Sequence, residues 1–170
     1  IGLAFRLDWP LVVIVTAFGM LGSWEYVRLQ RDDPGARPYG ALLLVVGVIY
    51  WIAAAMAGFR SREVMVVPGR EAIPLWIDVG ALLLMVHGSF LITLRGPLEG
   101  ERTLRRILGA LGGFAFTVLP GAFFLRLLFF HETGAHLMVL MVFVVKFGDM
   151  GAYLIGSWLG RHKMIPRISP

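Results

Sequence analysis

The 170-residue sequence contains no cysteine. Disulfide bonds and thiolate metal sites are therefore excluded, although the redox compartment stays open. Charged residues are also scarce, at 16% of the chain, whereas hydrophobic residues make up 58%. A soluble globular domain has about 25% charged and about 45–50% apolar residues, so this composition excludes an ordinary soluble domain.

What the sequence does contain is a series of apolar runs, each about as long as the 20 residues that a helix needs to cross a bilayer. The runs predict an all-α fold, a polytopic transmembrane helical bundle with five spans. The sequence has no repeat of fixed period and no long linker, so we interpret residues 1–170 as a single transmembrane domain. The chain begins at Ile1 without an initiator methionine, so we expect it to be the N-terminal and central part of a longer membrane protein. The predicted spans cover residues 9–27, 39–59, 73–94, 107–130 and 135–159.

Arginine and lysine are distributed unevenly between the loops. Ten of them lie in residues 28–38, 95–106 and 160–170, and five lie in the other loops or at a span end on the opposite side of the membrane. The first three segments follow the first, third and fifth spans, so they lie on the same side. Because positively charged loops are retained in the cytoplasm, we expect these three segments to face it. The net charge of +5 is thus interpreted as a topology signal, and no nucleic-acid partner is expected.

A few ionisable residues interrupt the apolar spans, and such residues suggest a site because a charge in hydrocarbon is unfavourable unless it is paired or hydrated. Lys146 and Asp149 lie in the fifth span, three residues apart, where a structural ion pair is the alternative to a site. For Asp78, a solvated carboxylate is as good an interpretation as a site residue. For His87, the alternative to a site residue is a histidine that is hydrogen-bonded to a neighbouring helix. Glu25 is compatible with a surface pair to Arg28.

Asp149 is the strongest functional candidate among these residues. A carboxylate that faces a hydrated cavity can hold Mg²⁺, which commonly shares one or two carboxylates with substrate phosphates. Tyr153 follows four residues later, so both side chains lie on one side of the helix. The basic residues of the tail, which suit phosphate or pyrophosphate but also a topology anchor beside anionic lipid, are Arg161, His162, Lys163 and Arg167.

The segment GDMGAYLIGSWLGRHKMIPRISP, residues 148–170, carries a family resemblance. It resembles the part of the phosphatidate cytidylyltransferase (CDP-diacylglycerol synthase) family in which an Asp-x-Gly-Ala-Tyr helix leads to Gly-Arg/Lys-His-Lys and then Ile-Ser-Pro. The stretch SWEYVRL, residues 23–29, is similar to the family's Trp-Glu-aromatic stretch. Residues 39–145 add a compatible number of helices.

The resemblance implies an enzyme that transfers CMP from CTP to phosphatidate, giving CDP-diacylglycerol and pyrophosphate in phospholipid biosynthesis. It implies Mg²⁺ as cofactor, a multi-pass protein of the bacterial inner membrane, an active site facing the cytoplasm, and it allows for a homodimer. Asp149 and Lys146 are the candidate catalytic residues, with Asp149 also the candidate metal ligand. The candidate substrate-binding residues are Tyr153, Arg161, His162, Lys163, Arg167 and Ser169.

The sequence departs from the family pattern at two positions. Lys146 stands where an apolar or aromatic residue is expected, and Met150 where Thr or Ser is usual, so the local polarity of the site is expected to differ. The family's Lys-Lys-Thr-x-Glu-Gly stretch and its later Asp-rich signature, which carry most of the metal ligands, would lie beyond Pro170. We therefore expect residues 1–170 alone to be inactive.

Two other functions compete with this interpretation. A related membrane lipid kinase would use CTP or ATP to phosphorylate a polyprenol or similar alcohol, and its product would carry no CMP. A small transporter would use Lys146, Asp149 and His87 as an ion route. Transport predicts discontinuous helices and a second symmetrical half, and the sequence contains no such half.

Overall fold

The computed structural model describes the backbone of residues 2–63, 73–130 and 133–159. In these ranges every regular element is helical and none is a strand, so the predicted all-α class is confirmed. A short 3₁₀-helix, Pro34–Ala36, precedes the second helix, and a π-helical turn, Phe114–Val118, joins the fourth to the fifth. The α-helices are α1 (Gly2–Leu29), α2 (Arg37–Glu63), α3 (Leu75–Arg95), α4 (Glu101–Gly113), α5 (Leu119–Phe130) and α6 (Gly134–Leu159).

Five helical stretches of the described chain are long and apolar enough to cross a membrane, which confirms the predicted number of spans. The fourth helix begins at Glu101, six residues before the predicted start of its span at residue 107. Its first turns carry Arg102 and Arg105, so hydropathy alone does not reveal them as helix. The five stretches are Trp9–Leu29, Pro34–Ser61, Leu75–Arg95, Glu101–Phe129 and Gly134–Trp158.

The chain divides into two compact units, residues 1–135 and residues 136–170. Helices α1 to α5 lie in the first unit, and the described part of the second unit is α6 from His136 onward. This division reflects how the helices pack and does not test whether residues 1–170 form a single domain, which stays a prediction.

Helix α2 lies at the centre of the first unit and contacts α1, α3, α4 and α5. Tyr50 and Trp51 of α2 are fully buried, as is Phe114 of the π-helical turn. Lipid tails are as apolar as the helix surfaces, so helices in a membrane associate through close packing and not through a hydrophobic driving force. Gly121 permits such packing, because a Cβ atom there would overlap the indole ring of Trp51.

The π-helical turn has a local cause in Pro120, which stands at its C-terminal side. Proline has no backbone N–H, and its ring clashes with the carbonyl group four residues earlier in a regular helix, so a wider turn accommodates it. Thr117 in this turn donates a hydrogen bond to the carbonyl oxygen of Gly113 at 2.7 Å. Its hydroxyl group also lies 2.9 Å from Oγ of Ser23 on α1, so the turn is tied to the first helix.

Candidate functional site

The predicted catalytic residues lie on α6, a continuous helix formed by a run of Leu, Val, Met and Phe residues. Lys146, Asp149 and Tyr153 follow one another at spacings of three and four residues. A helix has 3.6 residues per turn and rises 1.5 Å per residue, so these three positions fall within about 60° of arc and about 10 Å of helix length. The helix therefore presents an amine, a carboxylate and a phenol on one of its sides.

Within α6, no ion pair or hydrogen bond joins Lys146 and Asp149, although their spacing would permit one. The interpretation of these residues as a purely structural pair therefore finds no support in the geometry. The roles predicted for Lys146, Asp149 and Tyr153 in catalysis and binding remain predictions. Ring stacking between Phe143 and Phe147, with centroids 4.5 Å apart, is the aromatic contact within this part of α6.

The other predicted substrate-binding residues belong to the C-terminal tail and lie outside the residues that the structure describes. Their predicted contacts with phosphate groups therefore stay predictions. These residues are Arg161, His162, Lys163, Arg167 and Ser169.

A magnesium site can be assessed only from the donor groups that the described residues supply. In residues 2–63, 73–130 and 133–159, no cluster of three or more His, Asp or Glu side chains is arranged to hold a metal ion. Asp149 supplies one carboxylate, and Mg²⁺ is usually bound by one or two carboxylates together with substrate phosphates and water. The donor chemistry of Asp149 therefore fits magnesium as one ligand of such a set.

A second polar cluster joins two loops at one end of the first unit. Arg106 on α4 binds the carboxylate of Asp33 through both Nε, at 2.6 Å, and Nη2, at 2.8 Å. Its Nη2 atom also lies 3.0 Å from Oε2 of Glu99. The side chain of Arg106 is 12% exposed, so this arginine is largely buried, whereas Asp33 and Glu99 remain partly exposed.

Asp33 is held in this cluster from two directions. Its Oδ1 atom accepts a hydrogen bond from the backbone N–H of Gly35 at 3.0 Å, which caps the 3₁₀-helix Pro34–Ala36. The hydrogen bonds from Arg106 are the main reason why the pKa of Asp33 lies below its ordinary value. The cluster also establishes that residues 28–38 and 95–106, which were predicted to share one side of the membrane, lie at the same end of this unit.

A third polar cluster lies among the spanning helices, where Asp78 of α3 meets partners from two other helices. Nη2 of Arg126 on α5 lies 2.6 Å from Oδ2 of Asp78. The hydroxyl group of Tyr50 on α2 donates to Oδ1 of the same carboxylate at 2.7 Å. Asp78 is therefore a paired carboxylate between helices and not a solvated one.

The remaining ionisable candidates have simpler surroundings. Nδ1 of His87 lies 2.8 Å from the carbonyl oxygen of Leu83, so this nitrogen donates within α3 itself. Glu25 and Arg28 are both exposed, and no ion pair joins them. None of these three residues belongs to a cluster of candidate catalytic groups in the described part of the chain.

Sequence reasoning missed the partners that make two of these clusters. Tyr50 and Arg126 are 28 and 48 residues from Asp78 in sequence, and Arg106 is 73 residues from Asp33. The sequence did contain a signal for the pairing of Asp78 with Arg126, since opposite charges in different spans usually pair with one another. Which charges pair still depends on how each helix is rotated about its axis.

The fold and these clusters define a class, namely a polytopic helical membrane protein that carries ionisable side chains within its spans. The whole chain, residues 1–170, matches the Cytidylyltransferase family. The chain belongs to this family, and the resemblance inferred from residues 148–170 is confirmed.

The relatives of this chain include proteins named phosphatidate cytidylyltransferase from Staphylococcus aureus strains COL, MSSA476 and N315. Each is 30% identical to this chain over 99 residues, which cover 56% of this chain and 36% of the relative. The chain thus spans only about a third of the length of the curated relatives it matches. No solved structure matches the chain significantly.

Proposed function

We propose that the protein to which this chain belongs is a phosphatidate cytidylyltransferase, which joins CTP to phosphatidate in phospholipid biosynthesis. The observation that carries the proposal is the match to the Cytidylyltransferase family over residues 1–170. The name of the Staphylococcus aureus relatives supports the choice of phosphatidate as the acceptor. We place the protein in the bacterial inner membrane, with its active site facing the cytoplasm.

In the proposed reaction a phosphate oxygen of phosphatidate attacks the α-phosphorus of CTP. A new P–O–P linkage forms between the lipid phosphate and CMP, the bond to the β-phosphate oxygen breaks, and pyrophosphate leaves. The reaction brings two anions together and builds further charge on the leaving pyrophosphate. An enzyme for it must therefore place cationic groups and polar donors around the phosphates.

The residues of α6 suit these requirements. Asp149 would hold Mg²⁺, and the ion when bound would neutralise charge on the phosphate oxygens. Lys146, one turn earlier, would place its ammonium group on the same side of the helix, where it would offset the charge of the phosphates. Tyr153, one turn later, would donate its hydroxyl hydrogen to a phosphate or ribose oxygen.

The tail that follows α6 would complete the binding of the nucleotide. Arginine side chains bind phosphate through two parallel hydrogen bonds, and lysine and protonated histidine add further donors. Ser169 would contribute a hydroxyl donor. The basic residues that we assign to the triphosphate are Arg161, His162, Lys163 and Arg167.

The test uses the full protein in membranes with phosphatidate, Mg²⁺ and CTP, labelled either in the cytosine ring or at the γ-phosphate. We expect the cytosine label to enter the lipid and the γ-label to stay in water. Transfer of the γ-label to a lipid alcohol would instead establish a kinase. Asp149→Asn should abolish cytosine transfer, whereas Asp32→Asn, which neutralises an exposed loop carboxylate, should leave it unchanged.

A further inference from the structure

A cleft of about 390 Å³ lies where α1 ends and α2 begins. It is lined by Val27, Gln30, Arg31, Ala36 and Arg37, and most of its lining is apolar. The residues that line the cleft all belong to the first unit, and none of them is a residue to which catalysis is assigned.

The position of this cleft corresponds to a boundary of the membrane. One spanning stretch ends at Leu29 and the next begins at Pro34, so the lining residues lie where two spans leave the hydrocarbon. Trp24 of α1 is half exposed and lies about one turn before the end of the first span at Leu29. Indole rings are enriched in this headgroup region of a membrane. A ligand of the cleft is therefore within reach of both lipid and water.

Two guanidinium groups at the cleft are available to a ligand. Arg31 and Arg37 are both exposed, and neither forms an ion pair in the part of the chain that the structure describes. The guanidinium carbon of Arg31 lies 6.0 Å from the ring centre of Trp24, a contact that leaves its N–H groups free to donate. The cleft is therefore positively charged at its polar side.

The acidic residues of the same loop do not cancel this charge. Asp33 is bound by Arg106, and both Asp32 and Asp33 line a different cleft. The two clefts thus differ in charge. The second is lined by acidic and basic residues together, and its Arg105 already forms an ion pair with Glu101. Of these two clefts, the one beside Arg31 and Arg37 is therefore the one that favours an anion.

We propose that the cleft formed by residues 27–37 binds the headgroup of an anionic phospholipid. The phosphate accepts hydrogen bonds from Arg31 and Arg37, and the glycerol and first acyl carbons contact Val27 and Ala36. The apolar lining favours a lipid over a free phosphate ion, which would gain nothing from it. None of its lining residues is assigned to catalysis or to nucleotide binding, so the proposal does not depend on the proposed function.

The test titrates the purified full protein in detergent with phosphatidylglycerol and counts bound lipids by native mass spectrometry. Phosphatidylglycerol is anionic and is not the acceptor in the proposed reaction, so the result is independent of catalysis. We expect wild-type protein to bind one phosphatidylglycerol in preference to phosphatidylcholine with the same acyl chains. Equal binding of the two lipids would overturn the proposal.

Arg31→Gln combined with Arg37→Gln should weaken phosphatidylglycerol binding by at least about tenfold, since two charge-assisted contacts are lost. Arg31→Lys combined with Arg37→Lys keeps both charges and should retain most of the binding. The matched control, Arg28→Gln with Arg95→Gln, removes two exposed arginines at the same end that do not line the cleft. An equal loss in this control would mean general surface attraction and would refute the site.

A competition distinguishes a lipid site from a phosphate site. Water-soluble glycerol 3-phosphate, added at the same concentration as phosphatidylglycerol, should leave lipid binding unchanged. Displacement at equal concentration would show that the cleft recognises a free phosphate and would overturn the lipid assignment. Because all four substituted arginines are exposed, the variants should match the wild type in melting temperature, which verifies that they are folded.

Discussion

Arg126 and Asp78 form an ion pair across 48 residues of sequence, with Nη2 of the arginine 2.6 Å from Oδ2 of the aspartate. Their side chains are only 24% and 18% exposed. The second carboxylate oxygen accepts from Tyr50, so one acidic group joins α2, α3 and α5. In a region where the helix surfaces are otherwise apolar, this polar contact fixes which side of α3 faces α5.

Removing either charge should destabilise the first unit. Breaking a buried ion pair leaves an uncompensated charge, at a loss of about 3–5 kcal/mol. Because these two groups are partly exposed, we expect Asp78→Ala or Arg126→Met to lower the free energy of unfolding by about 3 kcal/mol. Tyr50→Phe removes a single hydrogen bond and should lower it by about 1 kcal/mol. Unfolding of the full protein in detergent measures these values.

The double variant Asp78→Ala with Arg126→Met provides the control for this prediction. It removes both charges together, so no unpaired charge remains, and its loss should be clearly smaller than the sum of the single losses. Losses that simply add would mean that the two groups do not interact, and would contradict the ion pair.

The close approach of α5 to α2 should make Gly121 intolerant of a side chain. A Cβ atom at this position would overlap the Trp51 ring, which is itself fully buried. We expect Gly121→Ala to lower the free energy of unfolding by about 1–3 kcal/mol, as overpacking usually does. Gly80→Ala, on α3, is the matched control, because no atom lies within 4 Å of its Cβ position. It should be neutral or slightly stabilising, and an equal loss at both sites would contradict the packing.

The sequence predicted the number and position of the helices well because the bilayer imposes a length that hydropathy reveals. The second predicted span, residues 39–59, falls inside α2, and the fifth, residues 135–159, coincides with α6 to within a residue. The start of α4 was missed because its first turns are charged and amphipathic. Hydropathy therefore predicts the part of a helix that crosses the membrane, but it does not predict the charged turns by which the helix extends beyond the membrane.

The packing could not be predicted in the same way. Periodicity identifies the buried side of a soluble helix because its other side is polar, but lipid and protein interior are equally apolar. The pairing of Asp78 with Arg126 and the contact of Gly121 with Trp51 both depend on helix rotation, which the sequence pattern leaves undetermined. For the candidate site, only the shared side of α6 that carries Lys146 and Asp149 followed from spacing alone.

Stability should depend on pH through Asp33. Its pKa is lowered in the folded state, mainly by the hydrogen bonds from Arg106. As the pH falls, Asp33 is therefore protonated in the unfolded chain before it is protonated in the folded one. The stabilisation by its charge is complete above the ordinary carboxyl pKa of about 3.9, and it is lost as the pH falls through the lowered pKa of the folded state. Melting temperatures between pH 7 and pH 3 measure this loss.

Asp33→Asn isolates this contribution, because the amide oxygen can still accept from the N–H of Gly35 while the titrating charge is gone. The variant should be less stable than the wild type at pH 7, and the difference should shrink below pH 4. Asp32→Asn, at the exposed neighbouring position, should keep the wild-type pH dependence. If Asp33→Asn followed the wild-type curve at a constant offset, the titration would belong to another group.

A change of metal preference would establish whether Asp149 is a magnesium ligand. The 170-residue sequence contains no cysteine, so Asp149→Cys introduces a thiolate that has no competitor within it. Thiolates are soft ligands and bind Mg²⁺ poorly, but they bind soft ions such as Cd²⁺ strongly. We expect cytidylyl transfer by this variant to be lost with Mg²⁺ and partly restored when Cd²⁺ is added. Asp149→Ser, similar in size but without the soft sulfur atom, should not be restored by either ion. Equal rescue of both variants, or none in a Cys variant that elutes as folded protein, would remove Asp149 from the metal site.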